Sequence, residues 1–168
     1  MGDEIVNKVA SSSLVTLDLE EYYPTEKIMV FDLKPFLFME MILKEKEFRA
    51  SMQEHDWSQY KDAIVAATCT ADAIIPKWAY MLVATYLQPV AKNLVYGDEN
   101  AAIQQAFLDK LNMIDLTVLT DKRVVVKGCG DKSIGEFAYM AITKKLLPVA
   151  KSIMYGEPCS TVPVFKKK

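Results

Sequence analysis

A nineteen-residue stretch of this chain occurs twice. Ala79-Tyr80-Met81 returns as Ala138-Tyr139-Met140, Pro89-Val90-Ala91-Lys92 as Pro148-Val149-Ala150-Lys151, and Tyr96-Gly97 as Tyr155-Gly156, all at an offset of fifty-nine positions. From Ala79 to Gly97, ten of nineteen residues equal their counterparts. Repetition at a fixed period constrains a fold more than composition does, because equivalent residues take equivalent places in two like supersecondary units. A cysteine precedes each copy, Cys69 and Cys129, and the third cysteine, Cys159, follows the second.

Each copy reads as strand, helix, strand. Ala63 to Thr68 and Arg123 to Val126 are short apolar runs, the mark of strands buried on both faces. A helix from about Pro76 to Asn93 and another from about Ile134 to Lys151 follow them. Pro89 and Pro148 fall late in these helices, where a missing donor and a clash one turn back kink or end the element. Leu94 to Tyr96 and Ile153 to Tyr155 are the second strands. Two such units predict parallel pairing with right-handed crossovers. The expected fold class is therefore α/β: a mostly parallel central sheet with helices on its faces, built on two duplicated strand–helix–strand units, with an antiparallel edge supplied by the N-terminal strands.

Before the repeat, Leu14 to Leu19 and Lys27 to Phe31 read as strands. Asp32 is placed to cap a helix from Leu33 to the Leu43 region with Pro35 in its first turn. A charged helix from Glu45 to His55 follows. Glu99 to Leu111 reads as an amphipathic helix, and Val162 to Phe165 as an edge strand that tolerates Pro163. The 168 residues are read as a single domain, 1–60 holding the N-terminal strands and helices and 61–168 the duplicated half.

Composition excludes several classes. With 51% apolar and 25% charged residues a core forms without staples, and a net charge of −2 gives no global attraction for nucleic acid. Lys166-Lys167-Lys168 reads as a solvated tail. The acidic opening Met1 to Glu4 lacks the apolar run of a signal peptide. Trp78 to Ala91 carries no charge but is too short to span a membrane. An odd number of cysteines suits a reducing compartment, so the expected location is cytoplasmic. The apolar first repeat helix is either central or covered by a second subunit of a homodimer.

Ligands of parallel sheets bind beyond the carboxyl ends of the strands. If the repeat strands share one sheet, Cys69, Cys129 and Cys159 share one rim. Three soft ligands there suit zinc or an iron–sulfur cluster, with Asp72 or Asp131 as a weaker fourth ligand. The competing reading makes the cysteines small buried hydrophobes. Gly128, Gly130 and Lys132 offer a loop for an anion at a helix start, against the plainer reading of a tight turn. A third reading uses Cys129 as a nucleophile activated by Lys132, but no general base is identifiable and the catalytic residues stay unknown. The only histidine, His55, lies between Glu54 and Asp56 and is expected at the surface.

The segments Gly128 to Lys132, Met154 to Val164, His55 to Tyr60 and Glu4 to Val9 together resemble a conserved bacterial family catalogued as domain of unknown function 2480. The resemblance spans essentially the whole chain and brings no activity with it. It implies an association with iron–sulfur assembly proteins. The expectations are thus a metal- or iron–sulfur-related binding protein, a structural or interaction domain without a site, or a cysteine-dependent enzyme.

Overall fold

In the computed structural model the described residues are 14–128 and 130–168. Cys129 and the segment Glu4 to Val9 lie outside them. Among the described residues the chain forms seven strands and four α-helices. Contacts divide it into two units, residues 24–106 (unit 2) and residues 1–23 with 107–168 (unit 1). In chain order, unit 2 is therefore interposed after the first strand of unit 1. The half read as duplicated, 61–168, is thus shared between both units.

Unit 2 contains β2 (Ile28–Asp32), α1 (Glu45–Glu54), β3 (Ile64–Thr68), α2 (Lys77–Leu87) and β4 (Asn93–Tyr96). Its sheet, in order β2-β3-β4, is wholly parallel, with Ile28 beside Ile64 and Ile64 beside Asn93. Successive side chains of a strand point to opposite faces. Val65 and Ala67 accordingly join Phe31, Phe48, Val83 and Leu87 on one face, while Ile64 and Ala66 meet Ala102 and Ala106 on the other. The apolar run of β3 is buried because both of its faces are covered.

Unit 1 contains β1 (Leu14–Asp18), β5 (Arg123–Lys127), α4 (Glu136–Leu146), β6 (Ser152–Glu157) and β7 (Ser160–Lys166). The sheet order is β1-β5-β6-β7. β1 and β6 run parallel to β5, and β7 runs antiparallel to β6. Leu17, Leu19, Val124, Val126, Ile142, Leu146 and Ile153 build its core. The division between units falls inside α3 (Glu99–Asn112): Ala102 and Ala106 pack with unit 2, Phe107 and Leu111 with unit 1.

The α/β class, the parallel strand–helix–strand units and an antiparallel edge are thus present. The strands are divided between two sheets rather than gathered in one. The antiparallel edge is β7, whereas the N-terminal strands β1 and β2 pair in parallel. Strand pattern records which faces are buried, but not which distant strand is the neighbour.

The matched stretches adopt matching geometry. α2 and α4 begin and end fifty-nine positions apart. Asp62 donates its N–H to the Val90 carbonyl and Asp121 its own to Val149, at 3.1 and 2.9 Å, and both aspartates have left-handed φ, 59° and 56°. Each proline ends its helix. Past Pro89 the N–H groups of Val90 and Ala91 fold back to the Leu87 carbonyl, and past Pro148 those of Val149 and Ala150 fold back to Leu146.

The helix expected from Leu33 to Leu43 does not form. Asp32 does accept the Lys34 N–H, at 2.9 Å, but it starts only a 3₁₀ turn, Lys34–Phe36. Beyond it Met39 and Glu40, with φ of 52° and 58°, reverse the chain so that Phe38 pairs with Ile42. The apolar residues of this segment crowd together with only Lys34, Pro35 and Glu40 between them, so they mark no helical period and define no buried stripe.

Candidate functional site

The carboxyl edge of the unit 1 sheet collects charged side chains. β1 ends at Asp18, whose Oδ1 accepts the Glu20 N–H at 3.0 Å. Lys127, ending the adjacent β5, sets its Nζ 3.1 Å from Asp18 Oδ2 and 3.7 Å from Glu157 Oε1. The Asp18 hydrogen bond, followed by the charges of Asp18, Glu157 and Glu20, raises the Lys127 pKa against a small opposing effect of burial. The Glu20 carboxylate reaches the loop after β5 and accepts the Gly130 N–H. An anion held by that loop would have to displace Glu20. Lys132 places its Nζ 4.8 Å from the Tyr23 ring centre, a cation–π contact.

Two cavities adjoin at this edge. The polar one, about 650 Å³, is lined by Gly128, Asp131, Lys132, Glu136, Tyr139 and Tyr155 among others. The apolar one, about 570 Å³, runs between α4 and the β6–β7 pair and is lined by Met140, Thr143, Leu147, Met154 and Val164. Glu136, Tyr139 and Tyr155 line both. Each volume lies in the range of roughly 300–1,000 Å³ common to ligand sites. The groove keeps large apolar groups in water: Met140 is 75% and Val164 56% exposed.

Local chemistry shapes this cleft. A Cβ at Gly128 would come within 2.8 Å of the Tyr139 hydroxyl, so a glycine allows the tyrosine to close over the strand end. Tyr139 stands edge-on to Tyr155 with ring centres 5.5 Å apart. Gly156 has φ +113°, and the chain turns through Pro158 and Cys159 into β7. The outer wall of the groove is therefore β7, an element absent from the strand order of the unit 2 sheet.

The corresponding edge of unit 2 is more closed. Asp32 Oδ1 accepts the Lys34 and Thr70 N–H groups at 2.9 and 3.0 Å, and Oδ2 accepts the Thr70 hydroxyl. Burial alone would push its carboxyl up, but these hydrogen bonds and the Lys34 charge together hold its pKa below the usual value. Tyr80 lies edge-on to Tyr96 at 5.2 Å. Burial, then the neighbouring Tyr96, Cys69 and Asp32, raise its phenol pKa.

The expected single rim of thiols is not formed. Cys69 follows β3 of the unit 2 sheet, is half-buried, and its Sγ contacts the Ala71 carbonyl at 3.8 Å. Cys159 is exposed in the β6–β7 turn of the unit 1 sheet. Because β3 and β6 belong to different sheets, the argument from a shared edge fails for this pair. Asp72 and Asp131 are both exposed. Among the described residues no three His, Cys, Asp or Glu side chains gather as metal ligands. His55, expected at the surface, is half-buried against Trp57, Phe31, Phe36 and Tyr60, its ring centre 4.7 Å from that of Trp57. The charged neighbours Glu54 and Asp56 face water while the ring at the helix end turns inward.

Sequence reasoning missed the apolar groove. Its signal was present: Met140, Thr143 and Leu147 recur at spacings of three and four, outside the buried stripe of Ala138, Ile142 and Leu146.

Fold and cleft together define an α/β protein with an open cleft at the carboxyl edge of a parallel sheet. The chain belongs to the family described as "Protein of unknown function (DUF2480)", which it matches over residues 3–167. No curated protein and no solved structure matches it. No helix among the described residues is long and apolar enough to cross a membrane.

Proposed function

We propose that this is a binding protein whose unit 1 takes an amphipathic small molecule, its apolar body in the α4–β6–β7 groove and its polar end toward Asp131 and Glu136. The supporting observation is the junction of an apolar and a polar cavity at Glu136, Tyr139 and Tyr155. Binding beyond the carboxyl ends of parallel strands is the general habit of such sheets. The polar end is an amine or a hydroxyl. The Gly130 N–H already serves Glu20 and the Lys132 ammonium rests on Tyr23, so an anion would compete with both contacts.

Calorimetry with decylamine tests this reading. Binding is expected in the wild type, at least about tenfold weaker in Thr143→Trp, where the indole fills the groove. Glu136→Gln weakens decylamine but leaves decanol unchanged. Decylamine that fails to bind, or binds Thr143→Trp equally well, contradicts the proposal.

A metal reading keeps one supporting observation. Cys159 is exposed just past β6, and the sequence reaches Cys129 two positions past the neighbouring strand β5. A zinc or iron site would draw on these two thiols and Asp131, with Cys69 left out. Metal analysis of anaerobically purified protein decides it: one equivalent, lost in Cys159→Ala and retained in Cys69→Ala, is the expected result. Metal-free protein that gains none on reconstitution removes it.

A further inference from the structure

The opposite, amino-terminal edge of the unit 1 sheet carries a third cavity, about 460 Å³. β5 begins there with Arg123, β6 is preceded by Lys151, and β7 ends with Lys166. All three line the cavity, with Pro163, Phe165 and Met154 as its apolar wall, and no carboxylate among the described residues lines it. Three like charges that line one cavity with no carboxylate among its described lining residues repel one another, an arrangement that an anion relieves.

The matched stretch in unit 2 sharpens this point. Lys92 is the counterpart of Lys151 and lies at the same place before its strand. There it is neutralised by Glu26, with Nζ and Oε1 2.9 Å apart. In unit 1 the nearby carboxylate of Asp121 pairs with Lys167, 4.0 Å away, and Lys151 makes no salt bridge to any described carboxylate. The same lysine is closed by an internal ion pair in one unit and directed to a cavity in the other.

We infer that this cavity binds a small phosphorylated molecule, its phosphate held by Arg123, Lys151 and Lys166 and its apolar part set against Phe165 and Pro163. Arginine supplies a planar fork for two phosphate oxygens, and the lysines supply point charges. The cavity shares Met154 with the amphipathic cleft, but Arg123, Lys151, Lys166, Pro163 and Phe165 do not line the cleft. A net charge of −2 over the chain conceals it, because the basic groups come from three strands that meet only in the fold.

Calorimetry at low ionic strength with phenyl phosphate and inorganic phosphate is the test. Phenyl phosphate is expected to bind more tightly than inorganic phosphate. Arg123→Gln, Lys151→Gln and Lys166→Gln are each expected to weaken it by about tenfold, while Lys92→Gln has no effect. These side chains are exposed, so the variants are expected to keep the fold, which circular dichroism checks. Absence of phenyl phosphate binding overturns the inference, as does equal weakening by Lys92→Gln. Binding confined to a single-stranded oligonucleotide also overturns it, by making the edge a general polyanion surface.

Discussion

Asp32 and Gly128 carry local constraints whose size can be measured. Asp32 serves two backbone N–H groups and one hydroxyl, a capping role worth about 1 kcal/mol in comparable turns. Its folded pKa lies below the ordinary value of about 3.9, so ionised Asp32 stabilises the fold above that pH. The contribution is lost as pH falls through the lowered folded value. Asp32→Ala is expected to lose about 1–2 kcal/mol in urea unfolding at pH 7. The deficit shrinks as pH falls through the lowered folded pKa, below which the wild-type carboxyl is also protonated. A deficit unchanged by pH would assign the loss to packing instead. At Gly128, a methyl would meet the Tyr139 hydroxyl at 2.8 Å. Gly128→Ala is expected to cost about 1–3 kcal/mol, with part recovered in Gly128→Ala/Tyr139→Phe, where the obstructing oxygen is gone. Parallel losses with no recovery would place the strain elsewhere. The sequence marked both positions, Asp32 as a cap and Gly128 as part of a turn. It could not show that Thr70 and Tyr139 were their partners, because those contacts join residues brought together only by the sheets.

At the scale of elements, the sequence revealed those whose apolar pattern matches their burial. β3 and the Val124–Val126 centre of β5 are apolar and buried, whereas α2 and α4 stop at Leu87 and Leu146, short of the ends expected at Asn93 and Lys151, because the prolines break them. The Leu33–Leu43 region departs from the expected helix because its apolar residues are not a buried stripe: Phe38, Met39, Met41 and Ile42 are all exposed. Met39 and Glu40 sit together at left-handed φ, which costs side-chain-bearing residues about 1–2 kcal/mol each. A two-residue reversal of this type favours Asn-Gly. Met39→Asn with Glu40→Gly is therefore expected to raise stability by about 1 kcal/mol in thermal or urea unfolding, after the entropy cost of the new glycine. The Lys34–Glu40 pair that is lost, 3.3 Å apart at the surface, contributes little. A destabilised double variant would show that the apolar Met39 side chain matters more than the backbone strain.

For the whole molecule, the period of fifty-nine positions leads to the expectation of two like units, and the hydrogen bonds of Asp62 and Asp121 fall at that period. What the period did not contain was the partner of each first strand. β1 pairs with β5 across more than one hundred intervening positions, and β2 pairs with β3. That assignment separates Cys69 from Cys159 by sheet and leaves β7 to build a groove on unit 1 alone. Both cavities of the cleft depend on strand order, which is why the residues lining them looked unremarkable one by one. The joined polar and apolar cavities are proposed to bind one molecule. The methyl spectrum of the nine methionines during a decylamine titration tests it directly. Met140 and Met154, which line the groove, are expected to shift and saturate together, while Met29, Met52 and Met81 of unit 2 stay fixed. Shifts at Met81 without Met140 and Met154, or a spectrum that does not change, would contradict it.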